Sequence, residues 1–297
     1  MAAGKAFRLF TEDAYEELPA AAVPEIKRCR LASLVLQLLV MGISNLFEFE
    51  FMDPPPRSLL SQALQELWLL GAIDKTSAVT ALGKRMAVLP LEPPFAKLLL
   101  EAPRFHCTVE AVTVVAMMAV DSFFFTPPGK KEEAAQARAV FEHADGDHFT
   151  YLRVYQGWAD AGGAQGQARA WCQQHYVNAR NMRKVEEVRQ QLVGYLVQGG
   201  VGMESCGPEQ TLLARCLCTA FYNNAASLTP AANVYKVETS ALEVRVHPSS
   251  VLFTRRPRTL LFNELVLTTK LYMRHCCLID AAWLPELVPN LFSTAKA

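Results

Sequence analysis

The side chains able to do chemistry are scattered along this sequence rather than gathered. His148 follows Asp147 in GDHFTYLRVYQGW, and an acid beside an imidazole can serve as a general base. No nucleophile is fixed near them by spacing, so His148 is read as a packed or helix-capping residue. His275, Cys276 and Cys277 are adjacent, and consecutive strand residues point to opposite faces, so the three cannot share one ion. Gly4-Lys5, Gly83-Lys84 and Gly129-Lys130 lack the glycine loop of GxxxxGK[ST], and the sequence holds no GxGxxG after a strand, no HExxH and no GxSxG. The remaining signal is basic. Arg180, Arg183 and Lys184 with Asn178 and Asn181, and the loop residues Arg255, Arg256 and Arg258, have the chemistry to neutralise phosphates. The same residues also suit a solvated helix face and a solvated loop, and Glu186 and Glu187 offset the first cluster.

Composition restricts where such a surface can lie. Lys plus Arg and Asp plus Glu both number 29, so the whole molecule exerts no long-range pull on nucleic acid or on an anionic membrane, and any basic surface must be local. With 297 residues, 51% of them hydrophobic, the chain can bury the cores of two or three domains. The eight cysteines show no CxxC pair and no secreted disulfide spacing, which points to a reducing, intracellular compartment. No apolar run approaches the roughly 20 residues of a membrane span, and no signal-peptide pattern opens the chain, so a soluble protein without a membrane partner is expected.

The elements that must position these residues follow from periodicity. Residues 1 to 12 alternate Phe7 and Leu9 with polar neighbours, as a lone strand would. A helix is expected from Val23 to Gly42 with Pro24 at its first position, then a short half-buried strand at Phe47, Phe49 and Phe51 before Pro54, Pro55 and Pro56. Further helices are expected over Arg57 to Leu70 and from a Thr80 cap through Met86. Helices with a small β element in such a length suggest a winged helix. Residues 91 to 200 read as nearly pure helix, with breaks at Pro93-Pro94, at Pro127-Pro128-Gly129 and at Gly162-Gly163. A central helix over Asp145 to Trp158 is apolar on most sides, and a last one runs from about Trp171 to Val197 before the glycines at 199, 200 and 202. After a helix through Leu213 to Ala220, strands at Val234 to Val237, Leu242 to Val246, Leu260 to Thr268 and Tyr272 to Ile279 indicate a small barrel or sandwich.

Seven blocks carry more than their pattern: GKAFRLFTEDAYEELP, VPEIKRCRLASLVLQLL, FEFEFMDPPP, LGKRMAVLPLEPPFAKLLL, GDHFTYLRVYQGW, WCQQHYVNARNM and VRVHPSSVLF. In this order they resemble the C-terminal half of DEAH-box RNA helicases over essentially the whole chain. CRLASLVLQLLVMG, APRFHCTVE and VNARNM most resemble the nucleolar, ribosomal-RNA-associated branch. The resemblance implies an α+β multidomain protein: residues 1–15 as a residual strand of a RecA-like domain, 16–90 a winged helix, 91–203 a mostly helical ratchet bundle and 204–297 a C-terminal OB-fold β-barrel. It also implies two RecA-like ATPase domains as partners, single-stranded RNA as ligand, a glycine-rich-patch activator at the winged helix and placement in the nucleus or nucleolus. Walker, DEAH and arginine-finger elements are not in this sequence, so no ATP hydrolysis is expected of it and no cofactor within it; ATP and Mg belong to the RecA domains. On this reading the chain is a fragment, a truncated gene model or a free accessory module.

Arg153, Asn178, Arg180 and Lys184 in the bundle and His247, Ser249 and Ser250 near the barrel are expected to face RNA. Structural alternatives stand beside them: Arg153 pairing with a buried carboxylate, and the two serines capping the turn that Pro248 fixes. Phe51, Pro54 and Pro55 are expected to meet a protein partner. The competing function is an adaptor without helicase activity that holds proteins through the winged helix and the barrel.

Overall fold

The structure, a computed structural model, describes residues 4–5, 7–19, 21–120, 122–166, 168–231, 233–289 and 291–292. Its first element is α1 (Glu12–Glu16), capped by Thr11, whose hydroxyl accepts from the Ala14 N–H at 3.3 Å. Residues 7–10 form no strand: no described segment pairs with them to complete a ladder, and Phe7 and Leu9 stay exposed. The rest of that expected strand, residues 1–3 and 6, lies outside the described residues.

The expected helix from Val23 to Gly42 is broken. Pro24 precedes a single 3₁₀ turn at Glu25–Lys27, and helix resumes only at α2 (Ala32–Val40). The bend lets Leu31, Val35 and Leu39 reach the core while Lys27 pairs with Asp53 at 3.0 Å. The Phe47 to Phe51 alternation makes no strand either. The Phe49 and Phe51 rings instead pack edge to face, with centroids 4.7 Å apart. After α3 (Arg57–Leu69) and a left-handed Gly71 (φ 75°), the β element is one antiparallel bridge, Ile73 to Val79. Asp74 shapes that turn by accepting from the Thr76 and Ala78 N–H groups, and Thr80 caps α4 (Ala81–Val88) by accepting from Gly83 N–H at 3.0 Å.

The bundle runs α5 (Pro93–Glu101), α6 (Thr108–Met118), α7 (Lys131–Ala139), α8 (Asp147–Asp160), α9 (Arg169–Gln174) and α10 (Ala179–Gln198). Pro93 starts α5 rather than breaking a helix, because a first-turn N–H needs no intrahelical partner. The long helix expected from Trp171 is divided into α9 and α10: Tyr176 takes a left-handed φ of 53° and Asn178 caps α10, accepting from Arg180 and Asn181 N–H at 3.0 and 3.2 Å. The Ser122–Thr126 segment stitches the break, receiving the Asn178 N–H on the Phe123 carbonyl (2.7 Å) and giving the Phe125 N–H to the Tyr176 carbonyl (3.0 Å).

α11 (Thr211–Phe221) packs on α5, with Phe221 edge-on to Phe95, and leads into a closed five-stranded barrel. Its strands are β1 (Ala225–Leu228), β2 (Tyr235–Val237), β3 (Glu243–Val246), β4 (Thr259–Leu267) and β5 (Leu271–Leu278), in the order β1-β2-β3-β5-β4 with β3 and β5 parallel. Val244, Leu260, Phe262 and Met273 fill the interior, and α12 (Trp283–Leu287) follows. The small residues of β1, Ala225, Ala226 and Ser227, hid that strand from propensity. None of the eight cysteines forms a disulfide; Cys29 is half-buried and the other seven are buried. Burial pushes the Cys218 thiol up to about 12.

The bundle joins the barrel through the start of α8. Asp147 is buried, and its carboxylate accepts from the Val251 N–H at 2.9 Å and the Cys276 N–H at 2.7 Å. The Leu278 N–H donates to the Asp145 carbonyl at 2.8 Å. Gly146 bridges Cys277 at φ 126°, where an added Cβ would enter the Cys276 carbonyl. His148 Nε2 donates to Asn263 Oδ1 (2.7 Å), and the Tyr151 hydroxyl donates to His275 Nδ1 (2.6 Å). The acid and imidazole at positions 147 and 148 are therefore both committed to the seam.

Two predictions follow from this seam. Asp147→Ala leaves the buried Cys276 N–H and the part-buried Val251 N–H without an acceptor and lowers stability by about 3 kcal/mol, at ~1–3 kcal/mol per orphaned group, with Asp147→Asn losing less; urea midpoints measure both. Burial holds the His148 imidazole down to about 4 from 6.5. The unfolded chain therefore takes up a proton that the fold refuses, and stability falls as pH drops from 6.5 towards 4. At ~1.4 kcal/mol per unit the loss from His148 is bounded at about 3.5 kcal/mol, and His148→Gln lowers the slope of stability against pH across that window, leaving the share of His275, which burial holds down to about 3.

Candidate nucleic-acid interface

On the barrel, β3 and β5 run parallel with Arg245 beside Tyr272 and Val246 beside Met273. Val246 and Met273 are buried in the barrel core, so the alternation turns Arg245 and Tyr272 outward. Arg245 and Tyr272 line a hollow of about 180 Å³ with Phe253, Arg256 and Lys270, floored by the buried Tyr235. Asn233 also lines it, and its buried side-chain Oδ1 has no hydrogen-bond partner among the described residues. No described carboxylate lines this hollow. Three cations among aromatic rings suit phosphates and stacked bases.

Next to the hollow, the His247 ring stands edge-on to Tyr272 at 5.7 Å, and its Nδ1 accepts from the Ser249 N–H at 3.1 Å with the Ser249 hydroxyl at 2.7 Å. Partial burial, and then the nearby Arg274 charge, hold its pKa below the usual imidazole range. Ser250 is buried, and its hydroxyl accepts from the Leu252 N–H, so it supports the loop.

A cleft of about 700 Å³ separates bundle from barrel. Its charges are mixed: Arg138 and Arg274 face Glu142, Glu264 and Asp147. Arg274 lies 3.5 Å from Glu264, and Arg138 donates to the Phe125 carbonyl at 2.6 Å and the Thr126 hydroxyl at 2.8 Å. The carboxylates of the cleft oppose added phosphates, so the acid-free hollow is the better site for a polyanion. Behind the Ser122–Thr126 segment lies a third cavity, about 730 Å³, lined by Arg169, Arg180 and Arg183 with Asn178 and Phe125. No described residue lines both it and the cleft.

The residues picked from sequence thus fall in several places. Asn178 and Arg180 meet at the third cavity; Lys184 is exposed on α10 and lines neither. Arg153 donates to the Glu142 carbonyl at 2.7 Å, not to a buried carboxylate. His247 stands beside the hollow and Ser249 on the cleft, with Ser250 beneath. On the winged helix Phe51 is half-buried, Pro54 exposed and Pro55 buried, while Phe47, Phe49 and Met52 present more surface. Sequence reading missed Arg245, Phe253, Lys270 and Tyr272, although the alternations Val244-Arg245-Val246 and Leu271-Tyr272-Met273 carry the signal.

Three family models match in chain order. A helicase associated domain (HA2), winged-helix, covers residues 63–91; a helicase associated domain (HA2), ratchet-like, covers 92–151; and an oligonucleotide/oligosaccharide-binding (OB)-fold covers 213–291. The ATP-dependent RNA helicase DHX33 of Homo sapiens is 39% identical over 292 residues, 97% of this chain and 41% of that protein. The pre-mRNA-splicing factor ATP-dependent RNA helicase DEAH10 of Arabidopsis thaliana is 37% identical, over 99% of the chain and 42% of the relative. The pre-mRNA-splicing factor ATP-dependent RNA helicase prp22 of Schizosaccharomyces pombe is 36% identical, over 99% of the chain and 25% of the relative. The chain therefore spans about two fifths of the first two relatives and a quarter of the third.

The capping geometry at Asn178 separates a structural role from an RNA contact. Asn178→Ala loses about 1 kcal/mol of stability, the usual worth of such a cap, whereas Asn178→Asp keeps the acceptor and the stability; denaturant titration of both variants checks it.

Proposed function

Because the chain belongs to the DEAH-box RNA helicases and carries their winged-helix, ratchet-like and OB-fold domains, we propose that it grips single-stranded RNA on the outer face of its barrel. The observation that carries this is the acid-free hollow, where Arg245, Arg256 and Lys270 surround Phe253 and Tyr272. Cations track the phosphates and rings stack on bases of any sequence, so recognition follows backbone and stacking rather than base identity. In a whole helicase, RecA-like domains supply ATP hydrolysis and move the strand, and this module holds it between steps. The working division is 16–90, 91–203 and 204–297. Nuclear placement and a part in ribosome biogenesis rest on the sequence blocks of the nucleolar branch; relatives named as splicing factors align over the same span at nearly the same identity.

A second reading has its own observation. Phe47, Phe49 and Met52 lie exposed on the winged helix, with Met52 wholly so, beside Glu48, Glu50 and Asp53. An apolar patch with acidic neighbours suits a protein partner, such as a glycine-rich-patch activator, and does not compete with RNA on the barrel.

Anisotropy titration of a fluorescent oligouridylate over a series of salt concentrations tests the RNA reading. Arg256→Ala with Lys270→Ala weakens binding about tenfold or more and lowers the salt slope by roughly 1.4, at ~0.7 per phosphate contact on a single strand. Phe253→Ala weakens binding without changing that slope. Salt-independent binding, or binding untouched by all three changes, overturns the assignment.

A further inference from the structure

The cavity between α9 and α10 is built differently from both the hollow and the cleft. Arg169, Arg180 and Arg183 line its 730 Å³, and no described carboxylate forms an ion pair with any of them. Among the described residues Arg183 donates to the Ala179 carbonyl of its own helix, at 3.4 Å. All three arginines are exposed, so an anion seated in the cavity meets positive charge from three residues. Phe125 adds a ring 41% exposed, whereas the neighbouring Trp158 is buried and offers no free face. The amides of Gln173 and Asn178 also line the cavity. The Ser122–Thr126 segment closes the side towards the cleft, through its bonds to Tyr176, Asn178 and Asn181.

We propose that this cavity binds the phosphate monoester of a nucleotide, with the phosphate among the three arginines and the base on Phe125. A monoester carries ~1.5–2 negative charges and three terminal oxygens at neutral pH, which matches several planar guanidinium forks better than a diester with its single charge. The volume lies within the ~300–1,000 Å³ usual for small-ligand sites. The nucleotide is a strand's terminal residue or a free mononucleotide; both present the same chemistry. The proposal rests on the RNA reading for its choice of nucleotide but uses a separate surface.

The test uses the 297-residue chain, a 5′-phosphorylated oligouridylate, the same strand ending in a 5′-hydroxyl, and UMP. For a terminal phosphate, the phosphorylated strand binds at least fivefold tighter than the hydroxyl strand. Arg180→Lys with Arg183→Lys, which keeps the charge but removes the forks, abolishes that advantage while circular dichroism shows an unchanged melting curve. For a free nucleotide, the strands bind alike, UMP binds by calorimetry, and the same double variant removes its heat. If the strands bind alike and UMP shows no binding, or if either preference survives the double variant, the proposal is overturned. Arg256→Ala with Lys270→Ala weakens both strands equally and leaves UMP untouched, so failure of the barrel reading is seen separately from failure of this one.

Discussion

One buried carboxylate sets the relation between bundle and barrel. Asp147 opens α8 inside the protein and accepts N–H groups from the loop after β3 and from β5, which places the first turn of the bundle's central helix against the barrel wall. Burial raises its pKa, and the two donated backbone bonds, the Ser250 hydroxyl and the Arg274 charge oppose that rise. His148 and Tyr151 extend the seam through Asn263 and His275. A seam of directed bonds fixes rotation as well as distance, which a greasy contact of equal area would not do. The position of the barrel strip relative to the α9–α10 cavity depends on it.

Charge is sorted in space rather than in sequence. The chain is neutral overall, yet two cavities are lined by arginine or lysine with no described acid, while the cleft between them mixes both signs. Residues far apart in the chain make each acid-free surface: Arg245 meets Tyr272 through parallel strand pairing, and Arg169 meets Arg183 across the break at Tyr176. Local counting of charges therefore underestimates how basic these surfaces are.

Much of the fold was legible because helical period and turn chemistry agree along most of the chain. Thr80 as a cap, Gly71 as a stop and the last four strands stand where their patterns put them, within a few residues. The failures share a cause: each needed information from a distant segment. The Phe47–Phe51 alternation lacked a partner strand, β1 was too small in side chain to announce itself, and Tyr176 turns because the Ser122–Thr126 segment accepts and donates at the break. For the candidate sites, Asn178 and Arg180 were visible as a cluster, whereas the barrel strip was not. Its aromatic and basic members alternate with core residues on separate strands and read as ordinary half-buried sheet.

The seven buried thiols have a consequence for how the molecule survives stress. While folded, burial raises the pKa of several of them, as at Cys216, Cys276 and Cys277, and denies oxidants access. Unfolding returns every thiol to ordinary acidity and to solvent at once, in a chain with no native disulfide to re-form. Under oxidising conditions cross-linking of the exposed thiols then competes with reclosing of the chain. Its lifetime is set by the rate of opening and by the ambient reductant, and not by equilibrium stability alone.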